Sequence, residues 1–280
     1  MLNEPPREKR SVHPLERKPE PPTPEQVEQQ RQQRVSLRIP YVQPTVTMVL
    51  IVLNIIIFAV GQFSQQLNET LLINGVNNQT AVLLDREYQR LLFSMFLHAS
   101  FVHIISNMYS LYIVGSSVER MFGHARFFII YLLGGLTGSV LSVVFNGPET
   151  FSVGASGAVF AIFGADIVFI YQHRRLLGAR GQAQLRTMLI FAALNFGVGI
   201  LSAVSPGGIN IDNWAHLGGF LGGIILSYFL GPQLIIRAHP DHPGEFQAED
   251  INPLARRATI LPLYLAGLLV ILILATLMVR

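Results

Sequence analysis

Seven stretches long and apolar enough to cross a bilayer leave this chain few ways to fold. They lie near residues 46–63, 98–118, 126–146, 155–172, 187–205, 213–231 and 260–279, with polar connections between them. A hydrocarbon core about 30 Å thick takes about 20 apolar residues at a rise of about 1.5 Å each. Inside that core every backbone amide must be satisfied within the protein, and single spans do so as α-helices. Charged residues make up 13% of the chain and hydrophobic ones 50%, whereas soluble domains are about 25% charged. The expected fold class is therefore all-α: a polytopic membrane helical bundle. Without cysteine, disulfides and thiolate metal sites are excluded.

The arginines set the expected orientation. Arg31, Arg34 and Arg38 precede the first span, and Arg120 and Arg126 lie between the second and third. Arg174, Arg175, Arg180 and Arg186 lie between the fourth and fifth, and Arg237, Arg256 and Arg257 between the sixth and seventh. That puts twelve on one side, against Arg86, Arg90 and Arg280 on the other. Positively charged connections stay in the cytoplasm, so the amino terminus is expected there and the carboxyl terminus outside. The connections 64–92, 147–154 and 206–212 then face outwards.

Residues 1–38, rich in Pro, Gln, Glu and Arg, cannot bury enough apolar surface to fold and read as a disordered cytoplasmic tail. The tail has no early apolar core of a secretory leader and too many acids for a mitochondrial presequence. Residues 39–231 read as a six-span core with an outer loop at 64–92. A cytoplasmic linker follows at 232–259, then a seventh helix at 260–280. The expected location is a cell membrane, crossed several times.

Polar side chains recur at one depth. Ser156 lies 18 residues before Arg174, His216 lies 16 before Pro232, and His103 lies 16 before Glu119. These intervals span roughly 24–27 Å of helix, placing all three just under the outer surface. Asn107 follows one turn below His103 on the same face. Ionisable groups in a membrane face a cavity or one another. A hydroxyl level with an imidazole supplies a nucleophile and its base. A second imidazole, an amide and the Ser156 backbone N–H at a helix amino terminus supply oxyanion donors. Gly154, Gly157 and Gly164 on the fourth span, and Gly218, Gly219, Gly222 and Gly223 on the sixth, allow close helix approach. The same glycines are equally consistent with plain packing, and the residues by themselves leave both readings open.

Other chemistries fit less well. The hydrolase elbow G-x-S-x-G fails at Ala158, and no H-E-x-x-H occurs. A zinc site from His98, His103 and His216 would set His98 and His103 five apart, poor for one helix face, with no carboxylate. Asp212, four residues before His216, reads as a helix cap or as the third member of a triad. Asp166 has no second aspartate at its level.

Three ordered motifs resemble the rhomboid family of intramembrane serine proteases, over roughly residues 44–231. They are G-x-S-G-x-x-F at Gly154, Ser156, Gly157 and Phe160, and A-H-x-x-G-x-x-x-G at Ala215, His216, Gly219 and Gly223. The third is H-x4-H-x3-N at His98, His103 and Asn107, followed by Glu119 and Arg120. The resemblance implies Ser156 as nucleophile and His216 as general base, without a carboxylate. It implies an oxyanion hole of His103, Asn107 and the Ser156 amide. Gly154, Gly157, Phe160, His98 and Trp214 take substrate-binding or supporting roles. Arg90, Glu119, Arg120, Gly219 and Gly223 are structural, Glu119 and Arg120 in a cytoplasmic-loop network. A seventh span resembles the bacterial 6+1 subclass. The implied activity is cleavage of single-span membrane proteins near the outer face, in contact with the lipid bilayer and without cofactor, metal or nucleic acid. An inactive family member that binds transmembrane helices is the alternative. The family's Trp-Arg pair in the outer loop is here Gln89-Arg90. Apolar contacts from the segments 71–75 and 91–97 are expected to replace the tryptophan.

Overall fold

The computed structural model describes residues 23, 36–38, 40–204, 211–240 and 245–280. Nearly all of the segment read as a disordered tail, and most of the connection 206–212, lie outside these residues. Two compact units are separated, Met1–Arg38 with Arg237–Gln247, and Ile39–Ile236 with Ala248–Arg280.

The first unit contains strand pairing that hydropathy does not announce. The strands are β1 (Ser36–Arg38), β2 (Leu234–Ala238) and β3 (Glu245–Asp250), of which Leu234–Ile236 and Ala248–Asp250 belong to the second unit. β1 runs parallel to β3, Ser36 opposite Glu245 and Arg38 opposite Gln247. On β3's other side, the His239 amide donates to the Glu245 carbonyl at 2.8 Å. The segment read as a linker thus carries two strands.

The second unit is the helical membrane bundle. Its helices are α1 (Thr45–Gln62), α2 (Gln65–Gly75), α3 (Arg90–Phe93), α4 (Phe101–Ser110) and α5 (Ser116–Phe122). They continue with α6 (His124–Phe145), α7 (Ser156–Gln172), α8 (Arg174–Val204), α9 (Asn213–Leu230) and α10 (Ile260–Val279). A π-helical turn, Leu111–Gly115, joins α4 to α5 into one span. Among the described residues, five helices are long and apolar enough to cross a membrane: α1, the Phe101–Phe122 span, α6, α8 and the helix ending in α10. α7, at 17 residues, is a shorter apolar helix, and α9 carries Asn213 and His216 in its first turn, followed by Gly218, Gly219, Gly222 and Gly223.

The fifth span departs from expectation. Residues 174–186, read as a polar connection, are the amino-terminal part of α8, bent at Gly178 where φ is +58°. The residues there, such as Leu, Ala, Arg and Gln, are strong helix formers, so helix persists where hydropathy fails. Leu194, Val198 and Leu201 are each more than half exposed, on a face left to lipid.

The bundle is built around α9. A Cβ added at Gly219 would fall 1.9 Å from the Gly157 carbonyl oxygen, and one at Gly223 would fall 1.9 Å from that of Ala161. A Cβ at Gly138 on α6 would fall 2.6 Å from the Ala215 carbonyl. Lipid tails give helices no hydrophobic reason to associate, so such close van der Waals packing does the work. Gly219→Val forces α7 and α9 apart and lowers stability by about 3 kcal/mol. In Gly267→Ala on α10, whose Cβ meets nothing within 4 Å, stability is kept or gains up to about 1 kcal/mol. Thermal unfolding in detergent reads both.

His173 links the end of α7 to the strand region. Its Nδ1 lies 2.8 Å from the Phe169 carbonyl, and its Nε2 accepts the Leu234 amide at 2.9 Å. That pattern requires the neutral ring with its proton on Nδ1. Burial holds the pKa below its ordinary 6.5, against the Phe169 bond and Asp250, which pull it up. Below 6.5 the unfolded chain takes a proton that the folded one resists, so this contribution to stability falls as pH drops through that value. Unfolding curves from about pH 7.5 to 5 should lose stability less steeply in His173→Gln than in the unsubstituted chain.

Candidate active site

Ser156 opens α7, preceded by Ala155, which makes no side-chain cap. The turn before it is set by Gly154, whose φ of +122° is open to glycine alone. The Gly154 amide donates to the Ser94 carbonyl at 2.9 Å. That bond ties the approach to α7 to the short 3-10 turn Ser94–Phe96.

His216 lies in the first turn of α9. Its Nε2 is 2.9 Å from Ser156 Oγ. The ring stacks on Phe160, one turn below Ser156, with centroids 4.3 Å apart and planes 20° from parallel. The stack leaves the imidazole edge aimed at the hydroxyl. Phe160 in turn packs on Phe196 of α8 at 5.4 Å, an aromatic contact that spacing along the chain gave no means to find.

His103 and Asn107 come from α4, whose first turn is capped by Ser100 accepting the His103 amide at 3.2 Å. A Cβ at Gly154 would sit 2.6 Å from His103 Nε2 and 3.3 Å from Asn107 Nδ2. Both donors therefore converge beside the turn that precedes Ser156. Asn107 Nδ2 is buried with no hydrogen-bond partner among the described residues. A buried donor left open in this way is a place for an acceptor to arrive.

Asp212 caps α9 by accepting the Ala215 amide at 2.9 Å. It also accepts from Ser142 Oγ at 2.6 Å and Asn146 Nδ2 at 3.0 Å, both near the end of α6. The cap reading of Asp212 has its geometry. Ser142 and Asn146, unremarked in the sequence, are one turn apart on a helix that has few other hydrogen-bonding side chains at that end.

The remaining expected residues divide. His98 is buried with its ring edge-on to His103, centroids 5.1 Å apart. Trp214 stacks on Phe145 of α6 at 4.5 Å, which places it against a neighbouring helix. Arg90 donates to the Ile73 and Val76 carbonyls at the end of α2 and pairs with Glu87. Glu119 holds the start of α1, accepting the Val46 and Thr47 amides at 2.8 and 2.7 Å and the Thr47 hydroxyl at 2.6 Å, with His124 Nδ1 at 2.6 Å. The Arg120 side chain, expected in the same network, is not in it, because consecutive helical side chains diverge by about 100° and this one faces outwards; only its carbonyl joins, accepting the Val42 amide at 3.2 Å. Of the apolar segments meant to replace the missing tryptophan, Ile73 and Phe93 are exposed, but Leu91, Met95 and Leu97 turn into the core. Among the described residues, no three His, Asp or Glu side chains converge as a metal ion requires.

The Rhomboid domain profile matches residues 85–233, which include every residue of this arrangement. The chain belongs to the rhomboid family. Rhomboid protease GluP of Bacillus subtilis (strain 168) is 36% identical over 195 residues, 68% of this chain and 35% of its own length. RHOMBOID-like protein 2 of Arabidopsis thaliana is 40% identical over 141 residues, 50% of this chain and 42% of its own. Putative rhomboid protease YdcA of Bacillus subtilis (strain 168) is 34% identical over 142 residues, 51% of this chain and 67% of its own. This rhomboid chain thus spans less than half the length of the first two.

Gly154 joins the two halves of the site, so its substitution is diagnostic. Gly154→Ala imposes about 1–3 kcal/mol of backbone strain and drives a methyl into His103. Reaction of Ser156 with a fluorophosphonate probe should slow by about a hundredfold, while the protein remains folded by thermal unfolding.

Proposed function

We propose that this rhomboid family member is an intramembrane serine endopeptidase that cleaves single-span membrane proteins through a Ser156–His216 dyad. The observation that carries the reading is the 2.9 Å approach of His216 Nε2 to Ser156 Oγ, with His103 and Asn107 converging beside Gly154. The membrane orientation belongs to the same proposal, with the amino terminus cytoplasmic, the dyad just under the outer surface and the carboxyl terminus outside. So does the division into a tail at 1–38, a six-span core at 39–231, a linker at 232–259 and a seventh span.

The chemistry follows from the geometry. His216 accepts on Nε2, so its proton is on Nδ1. As Ser156 Oγ attacks the substrate carbonyl carbon, its proton passes to Nε2. The carbonyl oxygen becomes an oxyanion and takes hydrogen bonds from His103, Asn107 and the Ser156 amide. Collapse breaks the C–N bond, and the leaving amine takes the proton from Nε2. Water then attacks the acyl-enzyme, its proton going to Nε2 and back to Oγ. A substrate helix has to unwind locally first, because its amides are already hydrogen-bonded.

The test is reconstitution in liposomes with a generic single-span substrate. Ser156→Ala and His216→Ala should each lower cleavage by about 10⁴-fold or to background, and His103→Ala by about 10²–10³. Asp212→Asn, which keeps a good helix cap, should stay within about tenfold of the unsubstituted chain; a triad carboxylate would lose about 10⁴. Cleavage persisting in Ser156→Ala sinks the proposal. Failure of the unsubstituted chain on several substrates that it still binds would favour an inactive binding protein.

A further inference from the structure

At the far end of the second span from His103, α1 and α5 part to leave an open crevice of about 840 Å³. Arg120 lies 17 residues beyond His103, about 25 Å along the helix, so this crevice is remote from Ser156. Its apolar side includes Val49, Tyr112 and Ile113, which are 64%, 53% and 52% exposed and face the bilayer. Its polar side includes Ser116 and Arg120.

The Arg120 guanidinium there is exposed and has no acidic partner among the described residues. Its neighbour Glu119 is turned to the start of α1, where both oxygens are already taken. Ser116 Oγ is buried with no partner among the described residues. An exposed guanidinium thus stands on the polar side of a crevice whose other side is built for hydrocarbon. Arginine matches phosphate oxygens in charge and in fork geometry, and basic pockets between spans suit anionic headgroups. A free phosphate would use the donors but leave the apolar side to water.

We propose that this crevice binds a glycerophospholipid of net negative headgroup. Its phosphate oxygens sit on Arg120, and an acyl chain lies along Val49, Tyr112 and Ile113. The bound lipid fills the gap between the first two spans and supplies the charge that Arg120 lacks.

The test uses the full chain, purified and delipidated in detergent, titrated with phosphatidylglycerol or phosphatidylcholine. Bound lipid is counted by native mass spectrometry, with inorganic phosphate as competitor. Phosphatidylglycerol should bind one to one and about fivefold more tightly than phosphatidylcholine, and phosphate should not displace it. Arg120→Gln should erase the preference between the two lipids, and Arg120→Lys should restore part of it. Val49→Trp, which fills the crevice and leaves Arg120 in place, should weaken both lipids. Equal affinity for the two lipids in the unsubstituted chain overturns the proposal. So does phosphatidylglycerol binding unchanged by Val49→Trp, a preference kept by Arg120→Gln, or displacement by inorganic phosphate, which would mark a solute site. Should Arg120→Gln fail to fold, the lipid preference of the unsubstituted chain and Val49→Trp decide between them.

Discussion

Backbone contact between α7 and α9 governs the rest of this molecule. Gly219 lies over the Gly157 carbonyl and Gly223 over that of Ala161, each with no room for a side chain. Two such contacts one turn apart on each helix fix both the separation and the register of the pair. Ser156 immediately precedes Gly157, and His216 lies three residues before Gly219. The 2.9 Å separation of hydroxyl and imidazole is therefore set by helix packing. In a bilayer, where apolar burial gives helices no reason to meet, this closeness has to come from residues without side chains.

The ends of the helices are held by carboxylates borrowed across the fold. Asp212 caps its own helix, α9, and binds two side chains of α6. Glu119, at the end of α5, satisfies the first amides of α1. An acid at a helix amino terminus meets both unsatisfied N–H groups and the positive end of the helix dipole. Each acid thus locks a helix to a neighbour. The Ser94 carbonyl does the same for the turn at Gly154. Ser156, His216 and the pair His103 and Asn107 come from three helices, and Ser156 and His216 each lie within about a turn of such a tie.

Much of this was legible in the sequence, for reasons that also mark where reading stopped. Six of the seven spans lie within about four residues of their expected limits, because hydropathy and length report the bilayer directly. The fifth begins well before its apolar core, since helix propensity ignores polarity and Arg174–Leu185 suits a helix as well as lipid-facing residues do. Depth counting brought Ser156, His216, His103 and Asn107 to one level, but depth carries no lateral information. Their convergence appears only in the contacts around Gly154 and Phe160. The strands at 234–238 and 245–250 escaped notice because they are short and barely alternate in polarity. Arg120 was grouped with Glu119 by adjacency, whereas neighbours on a helix point different ways.

The last helix, α10, shows what the glycines on α9 do beyond bringing His216 to Ser156. Gly219 and Gly223 face α7, while Gly218 and Gly222, one position earlier in each turn, face α6. At Gly222 a second partner enters: a Cβ there would lie 2.7 Å from the Tyr264 hydroxyl, which also bonds to Thr137 Oγ1 of α6. A tyrosine of α10 thus occupies the notch left by a missing side chain on the helix that carries His216. Its hydroxyl is satisfied there, as a buried polar group in a membrane must be. α10 exposes Leu263, Leu269 and Leu277 to lipid but also buries Ala275 in a cluster with Val82, Leu83 and Val140. The glycine row on α9 accordingly sets His216 against Ser156 on one side and receives the seventh helix on the other. A larger residue anywhere along it disturbs both.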